Sequence, residues 1–302
     1  MRRRAVLILA VAMGLGGCGG PTSPSAGPSP SADVRYTAGG LTLDKRPEKI
    51  VSLSPTATET LFAIGAGSQV TAVDDQSNYP PEAPRTDLSG FKPNAEAIAA
   101  KQPDLVVIAN DIDKIKAQLT TLKIPVYLAA AATSLPEAYQ QFTDLGALTG
   151  HRAEAEALAG KTKDEIGKLV AGVPPHPRTK YYYELDPTLY TVTSKTFVGS
   201  LFSMFGLNNI ADPADADGAK GGYPQLGPEA LVNANPDMVF LADTRCCKQS
   251  LATVKARPGW ANVAAVRASR VIGLDDDVAS RWGPRIVDLV RAIADALHNV
   301  PA

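Results

Sequence analysis

Residues 96–108 read Glu96-Ala97-Ile98-Ala99-Ala100-Lys101-Gln102-Pro103-Asp104-Leu105-Val106-Val107-Ile108. Residues 229–241 read Glu229-Ala230-Leu231-Val232-Asn233-Ala234-Asn235-Pro236-Asp237-Met238-Val239-Phe240-Leu241. Each passes from a short helical segment headed by an acid, through a Pro-Asp turn, into an unbroken apolar run. The second copy follows the first by 133 residues in both elements. An apolar run of four behind a turn is the pattern of a strand covered on both faces, as in a parallel sheet. One such match is ordinary, because Pro-Asp commonly precedes a strand. Two at identical spacing predict two similar lobes related by an internal repeat.

The flanking sequence extends this reading. Lys49–Ser54, Gln69–Val73, Leu105–Ala109 and Val126–Leu128 are strand candidates in the first half, with helical stretches at Ala95–Lys101, Lys114–Leu122 and Pro136–Leu148. Ser54 and Pro55 supply a cap and a first helical residue, and Gly65 a stop. In the second half Tyr181–Leu185, Asp237–Leu241 and Val271–Leu274 are strand candidates, and Ile286, Leu289, Val290, Ile293 and Leu297 share one face of a final helix. Alternating strands and helices predict an α/β fold with mostly parallel sheets. Between the halves, Leu158, Ile166, Leu169, Val170 and Val173 form a helical stripe that Pro174-Pro175 ends. The expected organisation is an N-terminal lobe over 35–150, one long bridging helix over 151–173 and a C-terminal lobe over 174–302.

The chain has 302 residues, 45% hydrophobic and 20% charged, at a formal net charge of −1. That is enough apolar sequence for one large core or two medium ones, and it excludes a disordered or collagen-like chain. Without a basic surplus, nucleic acid is not an expected partner. Arg2, Arg3 and Arg4 precede a short apolar segment, Ala5–Leu15, which is too short to span a bilayer and fits a signal peptide over residues 1–17. Leu15-Gly16-Gly17-Cys18 resembles the lipobox of bacterial lipoproteins, in which the Cys is acylated and becomes the first mature residue. Removing the three arginines leaves 27 basic against 31 acidic residues. Gly19–Ala32 is nearly all Gly, Pro, Ser and Ala, so residues 18–34 read as a lipidated Cys18 and a tether that holds a domain off a membrane.

Two stretches carry a more specific likeness: Ile50-Val51-Ser52-Leu53-Ser54-Pro55-Thr56-Ala57-Thr58-Glu59-Thr60-Leu61-Phe62 and Ser77-Asn78-Tyr79-Pro80-Pro81-Glu82-Ala83. They resemble the vitamin B12-binding proteins of ABC importers, class III substrate-binding proteins whose wider class also carries ferric siderophores and haem. The resemblance runs from about Arg46 to the C-terminus. It implies two lobes joined by a long helix, capture of a small-molecule cargo between them, and delivery to an ABC permease and its ATPase. By the same resemblance Glu96 and Glu229, one per lobe, dock on arginines of the permease. Tyr79, Phe91 and Tyr223 supply aromatic faces to the cargo, the last two where the B12 binders have Trp. Asn110 occupies a further cleft position that is aromatic in those proteins. Arg281 matches a family arginine at the cleft, with Trp282 beside it in place of a small residue, and Arg285, a second match, is expected to pair with a surface Asp.

A corrinoid is the expected cargo, with a ferric siderophore or haem as the alternatives, and the protein is expected to be an exported, lipid-anchored monomer. No resident cofactor or metal is expected: His151, His176 and His298 lie too far apart for a shared ligand set, and Asp275-Asp276-Asp277 reads as a solvated turn. Adjacent Cys246 and Cys247 leave two options, a vicinal disulfide, which oxidising surroundings favour, or two free thiols. The competing classes are an exported enzyme and a surface interaction protein on the same fold. The first would need a catalytic arrangement, and neither GxSxG, HExxH nor a Walker loop is present. The second would not need the paired Glu96 and Glu229.

Overall fold

The structure is a computed structural model that describes residues 35–298 and 300. The expected signal peptide, lipidated Cys18 and tether lie outside the described residues. A hairpin of β1 (Tyr36–Ala38) and β2 (Leu41–Leu43) turns at Gly39 and Gly40, both at positive φ. It leads into β3 (Ile50–Leu53), α1 (Pro55–Ala63), β4 (Val70–Val73), α2 (Ala95–Ala99), β5 (Leu105–Ile108), α3 (Ile115–Thr121), β6 (Val126–Leu128) and α4 (Leu135–Thr149). Helix α5 (Arg152–Ala171) follows. Beyond it come β7 (Lys180–Glu184), α6 (Phe197–Ser203), β8 (Asn208–Asn209), α7 (Pro228–Ala234), β9 (Met238–Leu241), α8 (Leu251–Lys255), α9 (Ala264–Arg267), β10 (Val271–Gly273), α10 (Asp276–Ala279) and α11 (Ile286–Leu297).

The first sheet has the order β4-β3-β5-β6 and the second β8-β7-β9-β10, every pair parallel. In each sheet, therefore, the first strand of the lobe lies between the second and the third, and the fourth pairs outside the third. The two copies of the repeat, α2-β5 and α7-β9, occupy the same place in both. Their Pro-Asp turns also do the same work. Asp104 N bonds Lys49 O and its Oδ2 accepts from Lys49 N, while Asp237 N bonds Lys180 O and its Oδ2 accepts from Lys180 N. Each Asp thus pins the start of the neighbouring central strand.

Alternate residues of the central strands face two apolar layers, as expected for strands covered on both sides. Leu105 and Val107 pack toward α1 and α4, and Val106 and Ile108 toward α2 and α3. In the second sheet Tyr181, Tyr183, Met238 and Phe240 pack toward α11, and Tyr182, Val239 and Leu241 toward Trp260. Helix α5 belongs to both halves: Ala155 and Leu158 join the first core, while Ile166, Leu169 and Val170 join the core around α11. That second core also takes in Ala132, Leu135 and Ala138 from the other half of the chain.

Gly146 of α4 lies where α5 crosses, and a Cβ there would stand 2.3 Å from Ala155 Cβ and 2.9 Å from His151 O. Gly146→Ala gains up to about 1 kcal/mol of helix propensity, but the clash forces two packed helices apart at a cost of about 1–3 kcal/mol. Urea denaturation should therefore show a net loss of stability.

Behind the ends of β7 and β9 lies a buried ionic group. Glu184, fully buried, receives Arg257 Nη1 and Nη2 at 2.6 Å each, and Arg257 also stacks on Trp260. Asp243, equally buried, has no donor in reach of either oxygen. Burial and the facing Glu184 charge push its pKa up to about 7. As the acid, Asp243 can donate the missing hydrogen bond to Glu184. A carboxyl with a raised folded pKa stabilises the fold fully below its unfolded value, near 3.8, and loses that contribution as pH rises through about 7. The melting temperature should fall between pH 5 and pH 8. Asp243→Asn should flatten that slope and melt higher at pH 8, by roughly 2–4 °C for each kcal/mol recovered.

Candidate functional site

In an open parallel sheet the loops after neighbouring strands diverge where the strand order reverses, leaving a crevice at the strand C-termini. In the first sheet that point lies between β3 and β5, whose following residues are Ser54 and Ala109-Asn110. A cavity of about 410 Å³ opens there, lined by Leu53, Ser54, Pro55, Asp74, Gln76, Phe91, Asn110, Arg281 and Trp282 among others. Its far wall is the segment 277–282 from the second half of the chain, so the cleft lies between the two sheets.

Four of the expected site residues, Phe91, Asn110, Arg281 and Trp282, meet in this cleft. Phe91 is 67% exposed, an uncovered ring on the rim. Trp282 is held by Nε1 donating to Gln141 Oε1 of α4 at 2.9 Å. Tyr79 does not line this cleft. It borders a second cavity of about 730 Å³ between α1, α5 and the start of α11, and its ring lies 4.2 Å under the Arg285 guanidinium. Tyr223, half exposed, lines neither cavity, but lies close enough to buried Tyr183 to interact electrostatically with it.

Arg281 lines the cleft, and Arg285 takes a different partner from the one expected. Arg281 is committed throughout: Nη1 donates to Glu59 Oε1 at 2.7 Å and Asn78 Oδ1 at 3.0 Å, and Nη2 to Gln76 O at 3.1 Å and Asp277 Oδ1 at 2.7 Å. Arg285 does not pair with a surface Asp. It grips the buried Glu59 carboxylate through Nε at 2.9 Å and Nη2 at 2.6 Å, which holds its own pKa up. The reason is local: Glu59 is the only charged residue between Lys49 and Asp74, and it falls on the covered face of α1. An acid there folds only with a cation against it.

The Asp triplet is likewise structured rather than a solvated turn. Asp275 caps α10 by accepting from the backbone of Asp277 and Val278. Asp276 accepts from Thr244 Oγ1 and from the backbone N–H groups of Arg245 and Cys246. Burial disfavours the charged form of Asp277, yet the Asn78 hydrogen bond and the Arg281 and Arg245 guanidiniums outweigh it and hold its carboxyl below the usual range. At the cleft floor, the hydroxyls of Ser52, Thr58 and Ser77 are chained to Asp74, with Ser77 Oγ donating to Oδ1 at 2.5 Å. Burial nonetheless raises the Asp74 pKa. Glu59, Asp74 and Gln76 were not anticipated as site residues. The available signal was a lone acid among apolar and Thr residues in 50–73, since an acid on a helix face otherwise destined for the core demands a partner.

Glu96 and Glu229 are both exposed, in the first turns of α2 and α7, at equivalent places in the two sheets. The Sγ atoms of adjacent Cys246 and Cys247 lie 2.6 Å apart. His176 is buried, and His151 sits at the head of α5 against Arg46 and Gln69. Among the described residues, no group of three or more His, Cys, Asp or Glu is placed to hold a metal ion.

The model of a family described as periplasmic binding protein matches residues 50–278. A cobalamin-binding protein of Halobacterium salinarum is 31% identical over 281 residues, 90% of this chain and 74% of its own length. An uncharacterized ABC transporter substrate-binding lipoprotein of Bacillus subtilis, YvrC, is 28% identical over 312 residues, covering 97% of this chain and 96% of its own. Among solved structures, the periplasmic heme-binding protein RhuT of Roseiflexus sp. matches with a TM-score of 0.69 at 28% identity, over 83% of this chain and 99% of the other. These relatives are binding proteins, not enzymes. Repeated parallel sheets, a shared long helix and a cleft at the switch point agree with that match: the chain belongs to the periplasmic binding protein family, as an exported substrate-binding protein of the ABC importer type.

Proposed function

We propose that this protein is a lipid-anchored substrate-binding subunit that captures a corrinoid in the interlobe cleft and delivers it to an ABC permease. The observation that carries the reading is the character of the cleft lining. Phe91 and Trp282 offer flat rings to a macrocycle, and Asn110, Gln76, Ser54 and Ser280 offer amides and hydroxyls. The lining arginine, Arg281, is already matched to Glu59 and Asp277, which suits a cargo whose side arms are amides better than one with several anionic groups. The name of the Halobacterium salinarum relative supports the same cargo. A corrin with its side arms exceeds 410 Å³, so it would seat one face on the floor and lean on the exposed Phe91 ring at the rim.

A ferric siderophore or haem is the second reading. It draws on the Roseiflexus structure and on Tyr79 and Tyr223, half-exposed phenols of a kind that can ligate iron. The lobes in this proposal comprise residues 35–150 and 174–302 with the bridging helix over 151–173. Acylated Cys18 and the tether up to residue 34 hold them at the membrane, and the protein acts as a monomer. Glu96 and Glu229 are the docking contacts, placed alike on two similar lobes to meet two similar permease subunits through charge-assisted hydrogen bonds.

Calorimetric titration should show one-to-one binding of cyanocobalamin. Phe91→Ala or Trp282→Ala should each weaken it by roughly 1–2 kcal/mol, near tenfold. Heat with haemin or a ferric siderophore and none with cyanocobalamin would transfer the reading to those cargoes. Separately, Glu96→Ala with Glu229→Ala should abolish uptake in cells while leaving cargo affinity unchanged. A loss of affinity in that double variant would remove the docking assignment.

A further inference from the structure

Glu59 stands in the wall between the two cavities: it lines the 730 Å³ cavity, and its partner Arg281 lines the cleft. Building on the reading of that cleft as the capture site, we propose that Glu59 is a positioning residue that sets the spacing of the two lobes. It holds Arg281 and Arg285 so that Phe91 and Trp282 face one cargo, and it must let go for release.

Three observations carry this. The first is commitment across the lobes. One carboxylate on α1, with its side chain 2% exposed, takes both guanidiniums from a segment more than 220 residues away. Oriented by Glu59, Arg281 goes on to hold Gln76 O and Asn78, and Arg285 to cover Tyr79. Every one of these contacts joins the first half of the chain to the second.

The second is closeness. Gly283, between the two arginines, packs on α1 at contact distance: a Cβ there would stand 3.4 Å from Thr56 O and 3.5 Å from Glu59 Oε2. A paired grip by Nε and Nη2 on one carboxylate is directional, so it specifies a separation rather than a general attraction. Because α5 is built into both cores, the lobes have little other freedom, and a contact that holds or opens suits the small hinge motion left to them.

The third is charge balance. Glu59, Asp275 and Asp277 match Arg245, Arg281 and Arg285, three against three. Without Glu59, one guanidinium in a wall where the arginine side chains are 9% and 20% exposed is left unmatched. Such a charge is relieved only by water, which enters if the lobes part.

The test reads lobe spacing in the cargo-free protein, so it stands apart from the identity of the cargo. In the full chain with Cys18, Cys246 and Cys247 replaced by Ser, spin labels are placed through Lys116→Cys on α3 and Lys255→Cys on α8, both exposed positions. Glu59→Gln should broaden the distance distribution and shift it to longer values, and it should weaken cyanocobalamin binding about tenfold or more. The charge-balanced double variant Glu59→Gln/Arg285→Gln should recover most of the parent distribution, whereas a packing role would make the two losses add. Asn78→Ala removes an exposed side chain from the same cluster and should shift the distribution less, in the same direction. An unchanged distribution in folded Glu59→Gln overturns the proposal, and if that variant does not fold, an unchanged distribution in Asn78→Ala does so. A shift in spacing from a protein that binds no cyanocobalamin would keep the Glu59 assignment and discard the corrinoid.

Discussion

One helix is shared between two hydrophobic cores, and that constraint governs how the rest of the molecule can work. Ala155 and Leu158 on the first half of α5 are packed under the β3-β5 sheet, and Ile166, Leu169 and Val170 on the second half under α11. The helix cannot bend freely without exposing one set or the other, and each buried aliphatic side chain exposed would cost about 1.5–3 kcal/mol. Ala132, Leu135 and Ala138 strengthen the join, since they come from the first half yet pack in the second core. A flexible linker would allow wide closure over a cargo. This arrangement leaves a narrow range of lobe angles, so the cleft is largely formed before anything enters it.

A nearly preformed cleft still needs its width set, and apolar packing is poorly suited to that because it is not directional. The buried ion cluster supplies direction. A desolvated ion pair adds little net stability over an apolar contact of the same size, yet losing one partner is severely destabilising. Glu59, Asp277, Arg281 and Arg285 therefore contribute less to the depth of the folded minimum than to its position. Their siting in the wall between the cleft and the second cavity makes lobe spacing and cargo contact consequences of the same few side chains. It also explains why Arg281, which the family likeness assigns to cargo, has its guanidinium turned to the opposite lobe.

Much of the fold was legible because its strands carry their evidence locally. Leu105–Ile108 and Met238–Leu241 are apolar at every position, as covered parallel strands must be, and the Pro-Asp pair ahead of each fixes where it begins. Ile286–Leu297 declared itself through one continuous apolar face. What escaped was held by distant partners. Strand β8 is two asparagines, and Asn209 is fixed by its side chain bonding Tyr181 Oη and Val192 O, which no periodicity reveals. Helix α6 is short, and the hairpin turn at Gly39-Gly40 carried a usable signal that the strand pattern around it was too brief to support. In the site, rings and amides could be nominated from the sequence, but the partner of Arg285 lies 226 residues away, beyond any local spacing.

The two kinds of legibility divide along function. The repeated elements, sheet order, Pro-Asp clamps and the exposed Glu96 and Glu229, are alike in both lobes and visible as internal similarity. The two glutamates face solvent and the rest builds the scaffold. The cleft is asymmetric: the first lobe brings a buried acid and Phe91, the second brings two arginines and Trp282. A cargo has no two-fold axis to match, so recognition has to come from residues the repeat does not share. Apart from Glu59 on α1, those residues sit in the loop after β4 and in the segment between α10 and α11. Internal repetition therefore marks how such a protein is built, and the departures from it shape the cleft between its lobes.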